Sequence, residues 1–129
     1  MADAELDFSE LLPVGEEIEA AARRTAEGAY PLVKEHAQKL QRKWRANARD
    51  TAGAHGAPYA RSITAEQIYN PNAAEWEVGP DRARKQGSMG AGFEYGGPTQ
   101  PPHLDGARAT TAIEPEFQAA VEKLAGSLL

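Results

Sequence analysis

From about Val14 to Asn47 the chain is rich in Ala, Glu, Arg, Lys and Leu, residues that favour the α-helix, and apolar positions recur at spacings of three and four. Ile18, Ala22, Ala29, Val33, Leu40 and Trp44 share one stripe, which reads as a core face. Such a run commits the fold to at least one long helix packed against something else. Glu16 and Glu17 near its start and Arg45 and Arg49 near its end suit the helix dipole. The point of strain is Gly28-Ala29-Tyr30-Pro31, because an interior proline loses a hydrogen bond and crowds the preceding turn. The expectation is either a kinked long helix or two helices, with Pro31 in the first turn of the second. Residues 1–13 read as an N-terminal arm in which DFSELLP makes one short turn before Pro13.

Beyond the helix, residues 51–58 (TAGAHGAP) are small and turn-forming and read as a flexible loop, as do residues 80–90. Tyr59 to Tyr69 favours strand, although Ile63 and Ile68 fall on opposite faces unless a bulge intervenes. After a turn at Asn70-Pro71-Asn72, Ala74, Trp76 and Val78 alternate with Glu75 and Glu77, the clearest period of two in the chain. Trp76 and Val78 should pack inward and both glutamates should face solvent. A third short strand is expected around Ala91 to Tyr95, with Phe93 and Tyr95 as core and Glu94 on the other face. The segment from Leu104 to Leu129 returns to helical spacing through Phe117, Val121, Leu124 and Leu128. Thr111 with Glu114 resembles a capping box and Pro115 suits a first turn, so a break near Ile113 is expected. The reading is one α+β domain over residues 1–129: a long N-terminal helix, an antiparallel sheet of three to four strands, and a C-terminal helix packed on the sheet.

A chain of 129 residues holds about one domain and one modest core. No window approaches a membrane span, and the acidic N-terminus lacks the pattern of a secretory signal. A cytoplasmic site of synthesis and no membrane partner follow as expectations. With no cysteine, disulfides, thiolate metal sites and cysteine nucleophiles are excluded.

The candidates for chemistry fail on spacing. Gly90-Ala-Gly92-Phe-Glu-Tyr-Gly96 misses the dinucleotide fingerprint by one residue, lacks the Lys-Ser/Thr ending of a P-loop, and runs into a proline-rich turn where either motif needs a helix N-terminus. His36, His55 and His103 stand far apart, with no second ligand at helical or hairpin spacing. Glu75 and Glu77 are neighbours on one strand face, but solvent-facing charge beside a buried Trp76 accounts for them without acid–base work. Ser62, Ser88 and Ser127 sit in no nucleophile elbow. The expectation is a non-enzyme with no cofactor, no metal and no catalytic residue.

Charge is the remaining lead. The net charge is −5, which argues against a surface that grips nucleic acid all over. It is also uneven. Up to Gly28 the acids Asp3, Glu5, Asp7, Glu10, Glu16, Glu17, Glu19 and Glu27 outnumber Arg23 and Arg24, whereas from Lys34 to Arg49 six cations face Glu35 alone. Such polarity can orient a partner or a neighbouring subunit. Lys39, Arg42, Lys43, Arg45 and Arg49 are therefore interface candidates. So are Glu94, Tyr95, Gly96 and Gly97, at a corner whose glycines let backbone lie close to a neighbour. Glu94 is expected to meet backbone donors or a neighbouring subunit.

Arg61-Ser62-Ile63, Trp76-Glu77-Val78-Gly79, and Glu94-Tyr95-Gly96-Gly97 followed by Pro101-Pro102 occur in that order, before a last helix ending PEFQAAVEKLAGSLL. In this order the chain resembles the tail completion, or neck, proteins of long-tailed bacteriophages, the minor tail type of lambdoid siphophages. The likeness spans nearly the whole chain through short motifs. It departs where the family often has Thr-Gly-x-Leu-Arg before the first strand, since this chain reads GAPYARSIT. The resemblance implies a structural virion protein of the neck or tail, completing the tail or joining head to tail as a ring-forming subunit. It implies other neck and tail proteins as partners (connector, terminator, tail tube or tape measure), a position near the phage DNA, and assembly in the host cytoplasm. A tail terminator or another connector subunit would share this outline. A cellular protein- or nucleic-acid-binding module would share only the composition.

Overall fold

The structure, a computed structural model, describes residues 8 to 128. Asp3, Glu5 and Asp7 of the acidic segment, and the start of the expected arm, lie outside the described residues. The element order is a helix α1 (Phe8–Ala52), a 3-10 turn (Ala54–Gly56), a short helix α2 (Ala57–Ser62), strands β1 (Ile63–Ile68) and β2 (Glu75–Pro80), a 3-10 turn (Gly87–Met89), a short helix α3 (Gly90–Tyr95) and a last helix α4 (Asp105–Ser127).

The fold is α+β, as the residue patterns imply, with corrections in its parts. The first concerns proline. Helix α1 runs through both Pro13 and Pro31, and α4 runs through Pro115, so neither the separate turn before Pro13, the break at Pro31 nor the start near Ile113 occurs. Pro31 and Glu27 are exposed, as are Pro115 and Thr111. The carbonyl that each of these two prolines leaves unbonded, four residues earlier, therefore lies on an exposed stretch where solvent can satisfy it. Helix–helix packing then holds the axis. Gly28 lies against Leu124, and His36 and Lys39 meet Glu116. At the other end Trp44 lies against Gly106, and Asn47 Nδ2 donates to the Asp105 carbonyl at 3.0 Å. Each step up α1 is thus a step down α4, an antiparallel pair. Helix α4 lies chiefly along α1 rather than on the sheet, and the sheet packs on α1 as well.

The sheet has two strands, not three or four. β1 and β2 pair antiparallel, with Ile63 opposite Pro80 and Ile68 opposite Glu75. The register is unbulged, and Ile63 is buried while Ile68 is 38% exposed, as regular alternation requires. On β2, Trp76 and Val78 are half-buried and Glu75 and Glu77 exposed. The turn is held by Asn70, whose side chain accepts from the Asn72 N–H at 2.9 Å.

Ala91 to Tyr95 is helix α3, not a strand. A strand of this length needs a neighbour to satisfy its backbone, and the only strand pairing among the described residues is that of β1 with β2. Instead Gly96, at φ +80°, turns the chain sharply, and a Cβ there would meet Pro102 N at 2.7 Å, so both conformation and space require glycine. The chain folds back on itself: His103 N donates to Phe93 O at 3.1 Å and Leu104 N to Glu94 O at 3.0 Å. Tyr59 likewise begins no strand. It lies in α2, where Gln86 Oε1 accepts from its N–H at 3.1 Å and Gln86 Nε2 donates to the His55 carbonyl at 2.8 Å. The core gathers here, with Ala48, Tyr59, Ala60 and Ile63 buried and Trp44, Val78 and Phe93 packed on them.

Candidate functional site

Two features compete for the site, and they lie one after the other along the α1–α4 pair. The first is a buried polar junction where α4 begins. Leu104, the residue before α4, has a left-handed backbone (φ 52°) and offers no capping side chain. The cap comes from α3: the Glu94 carboxylate accepts from Gly106 N at 2.9 Å and from Ala107 N at 3.0 Å. Two N–H groups that a helix start leaves unpaired are thereby satisfied by an anion at the positive end of the dipole. Asp105, fully buried, sits one residue before these donors. Its Oδ1 accepts from Arg108 Nη2 at 2.9 Å and lies 2.8 Å from the Thr51 hydroxyl. That hydroxyl is also 3.1 Å from the Asn47 carbonyl and shares its single proton between the two.

Around these carboxylates stand groups without partners among the described residues: Asp105 Oδ2, His103 Nδ1 at 3.9 Å from it, Trp44 Nε1 and the Tyr59 hydroxyl. Tyr59 stacks on Phe93 with ring centroids 4.3 Å apart. Burial, together with the negative charges of Glu94 and Asp105, pushes the Tyr59 phenol up to about 12; the Trp44 indole acts the other way without reaching hydrogen-bond geometry. Packing is tight toward α4, while Trp44, Tyr59 and Glu94 also border a concavity of about 290 Å³. A Cβ on Gly106 would lie 2.5 Å from the Trp44 ring. The hydroxyls nearby are engaged, Thr51 as described and Ser62 in donating to the Tyr59 carbonyl at 2.6 Å. This junction ties α1, α2, α3 and α4 into one block.

The second feature is an open apolar groove of about 330 Å³, lined by Val33, Leu40, Trp76, Val78, Ile113 and Phe117 among others. It runs between α4 and β2 across the face of α1. None of these six side chains is fully buried. At the α4 rim of the groove His36 Nδ1 donates to the Leu32 carbonyl at 2.8 Å, which leaves Nε2 facing Glu116 at 3.7 Å. Lys39 bonds the same carboxylate at 2.7 Å.

The sequence-derived candidates are dispersed by the fold. Lys39 turns toward α4. Arg45 turns toward β1, donating to the Ile63 carbonyl at 2.7 Å, while Arg42, Lys43 and Arg49 are exposed. Glu94 is buried within the chain, bonded to backbone donors of α4. Tyr95, expected in the core with Phe93, is 74% exposed: in a helix, residues two apart do not share a face. Gly96 makes the turn, and Gly97 pairs with Gln100 through hydrogen bonds of 2.8 and 3.3 Å. The Glu94 corner and the basic helix face are therefore separate surfaces. Sequence reasoning missed the junction formed by Asn47, Thr51, Tyr59, His103 and Asp105. Its one local sign is Asp105-Gly106, an acid and a small residue at a helix start.

Among the described residues no group of His, Cys, Asp and Glu is arranged to hold a metal ion, and no helix is long and apolar enough to cross a membrane. No family model, curated protein or solved structure matches the chain.

Proposed function

We propose that this chain is a structural subunit that completes its packing in a larger assembly, and that the assembly is the neck or tail of a long-tailed bacteriophage, where it completes the tail or joins head to tail. The virion setting rests on the ordered motifs that resemble tail completion proteins. The assembly role rests on one structural observation, the large share of surface that the chain leaves uncovered. It exposes 9125 Å², whereas a compact monomer of 13.9 kDa would expose roughly 6,700 Å². The difference exceeds the ~800 Å² per partner of an ordinary stable interface.

Two uncovered places stand out among the described residues. One is the apolar groove. The other is α1 itself: with Leu124 against Gly28, the end of α4 stands opposite about residue 25. Residues 8–24 then project roughly 25 Å beyond it. Glu16, Glu17 and Glu19 on this projection are exposed, and a basic face lies at the far end of the same helix. A projection and a face of opposite charge at two ends of one subunit suit a heterologous, ring-forming contact.

Imaging tests this reading. Antibody-labelled chain in particles from the source that encodes it should mark the junction of head and tail; tailed particles that carry no copy of the chain would overturn it. A chain lacking residues 1–24 should keep its melting temperature and fail to join the particle.

A further inference from the structure

The cations of α1 are only part of a larger surface. Arg42, Arg45 and Arg49 follow one another at spacings of three and four, so they share a helix face. The fold brings Arg61 of α2, and Arg84 from the connection after β2, to the same place. Arg45 Nη2 and Arg84 Nη1 each lie 3.4 Å from a single acceptor, the Arg61 carbonyl. Three arginines distant in sequence thus crowd one point. Partial burial, then the charges of Arg84 and Arg49, lower the pKa of Arg45, as expected where like charges are gathered without compensation.

Compensation is indeed scarce. Arg42, Lys43, Arg45, Arg49, Arg61, Arg82 and Lys85 make no ion pair among the described residues, and Arg84 has only Asp81, at 3.7 Å. In a chain of net charge −5, Arg45, Arg61, Arg84 and Lys85 gathered at one place form a local field opposite in sign to the whole, whereas Arg82 lines a separate concavity beside Glu66 and Glu77. Beside them a concavity of about 250 Å³ is lined by Pro58, Arg61, Ser62, Arg84 and Lys85.

We infer that this surface binds the phosphates of double-stranded nucleic acid. Two observations favour a phosphate backbone over an acidic protein. The cluster is mostly arginine, whose planar fork matches phosphate oxygens two at a time. It also lacks the apolar centre on which protein interfaces depend: none of the exposed large hydrophobic residues, Tyr30, Ile68, Tyr69, Met89, Tyr95, Leu104 and Val121, belongs to it. Side chains on one face and no stacking aromatics imply contacts to backbone rather than to bases, hence binding without sequence preference. The inference does not depend on the virion reading, since the surface is a property of the folded chain.

The test is fluorescence anisotropy of the full chain with a short labelled DNA duplex of arbitrary sequence. Affinity should fall steeply between about 50 and 200 mM salt, with a log–log slope near −4 for four or five phosphates. Arg61→Glu with Lys85→Glu changes two side chains that make no hydrogen bond within the chain among the described residues, and should weaken binding at least tenfold. The double variant Lys34→Glu with Lys123→Glu, of equal charge change elsewhere on α1 and α4, should weaken it far less. Equal losses in the two double variants would overturn the assignment, and so would an absence of duplex binding at low salt. Tighter binding of poly-glutamate than of duplex, or loss of self-association rather than of DNA binding in the Arg61/Lys85 variant, would overturn it in favour of an acidic protein or a second copy.

Discussion

Where α4 begins, Trp44, Tyr59, Glu94 and Asp105 enclose one another, and Tyr59, Ile63, Ala48 and Asp105 have essentially no exposed surface. Farther along the same helix pair, Val33, Leu40, Trp76 and Phe117 face an open groove, and α1 then runs on past α4. The difference is not one of hydrophobicity, since the groove is more apolar than the junction. It is a difference in closure. At the junction four elements meet, and the start of α4 is capped by the Glu94 side chain of α3. Along the groove only three elements meet, and one side is left without a wall. A small chain with a single modest core concentrates its stability at one end and presents the other for contact.

The sharpest way to break this contrast is to empty the closed end. Tyr59→Ala removes a fully buried ring stacked on Phe93 and should cost about 3–5 kcal/mol in urea unfolding, a large part of what a domain of this size has. A cost near 1 kcal/mol would mean that the junction is no tighter than the groove.

Next in size is the cap. Glu94→Ala leaves the N–H of Gly106 unpaired in a buried place and that of Ala107 unpaired in a part-buried one, and should cost roughly 2–4 kcal/mol. Glu94→Gln keeps one acceptor and turns an amide N–H₂ toward the other donor, for about 1–2 kcal/mol. From the sequence, Glu94→Gln is expected to impair assembly more than folding. The internal bonding of Glu94 requires a folding cost as well, and thermal melts of the isolated chain read it directly.

Alkaline titration probes the same junction through Tyr59. Its phenol is raised to about 12, above the ordinary 10. Below pH 10 both folded and unfolded chains hold the proton, and the contribution of Tyr59 to stability is fully present. As the pH rises past 10 the unfolded chain ionises first, and stability is lost until the folded chain ionises near 12. The loss should reach about 2 kcal/mol by pH ~11.5. Tyr59→Phe should lack this component. At neutral pH it should be neutral or stabilising, because it removes a buried hydroxyl without a partner among the described residues. Urea midpoints of both chains at pH ~8 and ~11.5 make the comparison.

These residues also mark how far the sequence can be read. The α1 stripe from Ala29 to Trp44, the alternation of Trp76 and Val78 with the glutamates, and the terminal helix were legible because each is a local period that one face of packing enforces; Ala22 of the same stripe is exposed, and the side chain of Ile18 lies outside the described residues. The junction was not. Glu94 caps a helix whose first residue lies eleven positions later, and no local spacing encodes a cap delivered by another element. The same limit explains the expected third strand: Ala91 to Tyr95 forms helix α3 instead, and what holds it, the return of the chain at His103 and Leu104 to the Phe93 and Glu94 carbonyls, has no local sign. It explains the basic surface too, since Arg61 and Arg84 join Arg45 only through the hairpin between them. Pro31 and Pro115 misled in the opposite way. Their local penalty is real, and packing along two antiparallel helices outweighs it.

At the open end the expected effects are smaller. Trp76→Ala, from a half-buried position beside the groove, should cost about 1–2 kcal/mol, well below the range for a fully enclosed ring. A loss equal to that of Tyr59→Ala would make the groove part of the core and remove the contrast. On the proposed assembly role, the same variant should weaken incorporation into particles more than its effect on stability explains, because the groove would then have lost its largest ring.

The smallest effect belongs to the ion pair at the groove's rim. Lys39 and Glu116 are partly exposed and 2.7 Å apart. Their hydrogen bond lowers the pKa of Glu116 and raises that of Lys39. By sign, the glutamate contributes above its unfolded pKa and loses its contribution as pH falls through the folded one; the lysine contributes below its unfolded pKa and loses it as pH rises through the folded one. The pair's contribution is therefore fully present between about pH 5 and pH 10 and fades beyond both limits, and solvent and salt screen it throughout. Lys39→Met should leave the melting temperature of the isolated chain at neutral pH and ordinary salt indistinguishable from that of the parent. A clear loss would mean that this rim, unlike the rest of the groove, is built to the standard of the junction.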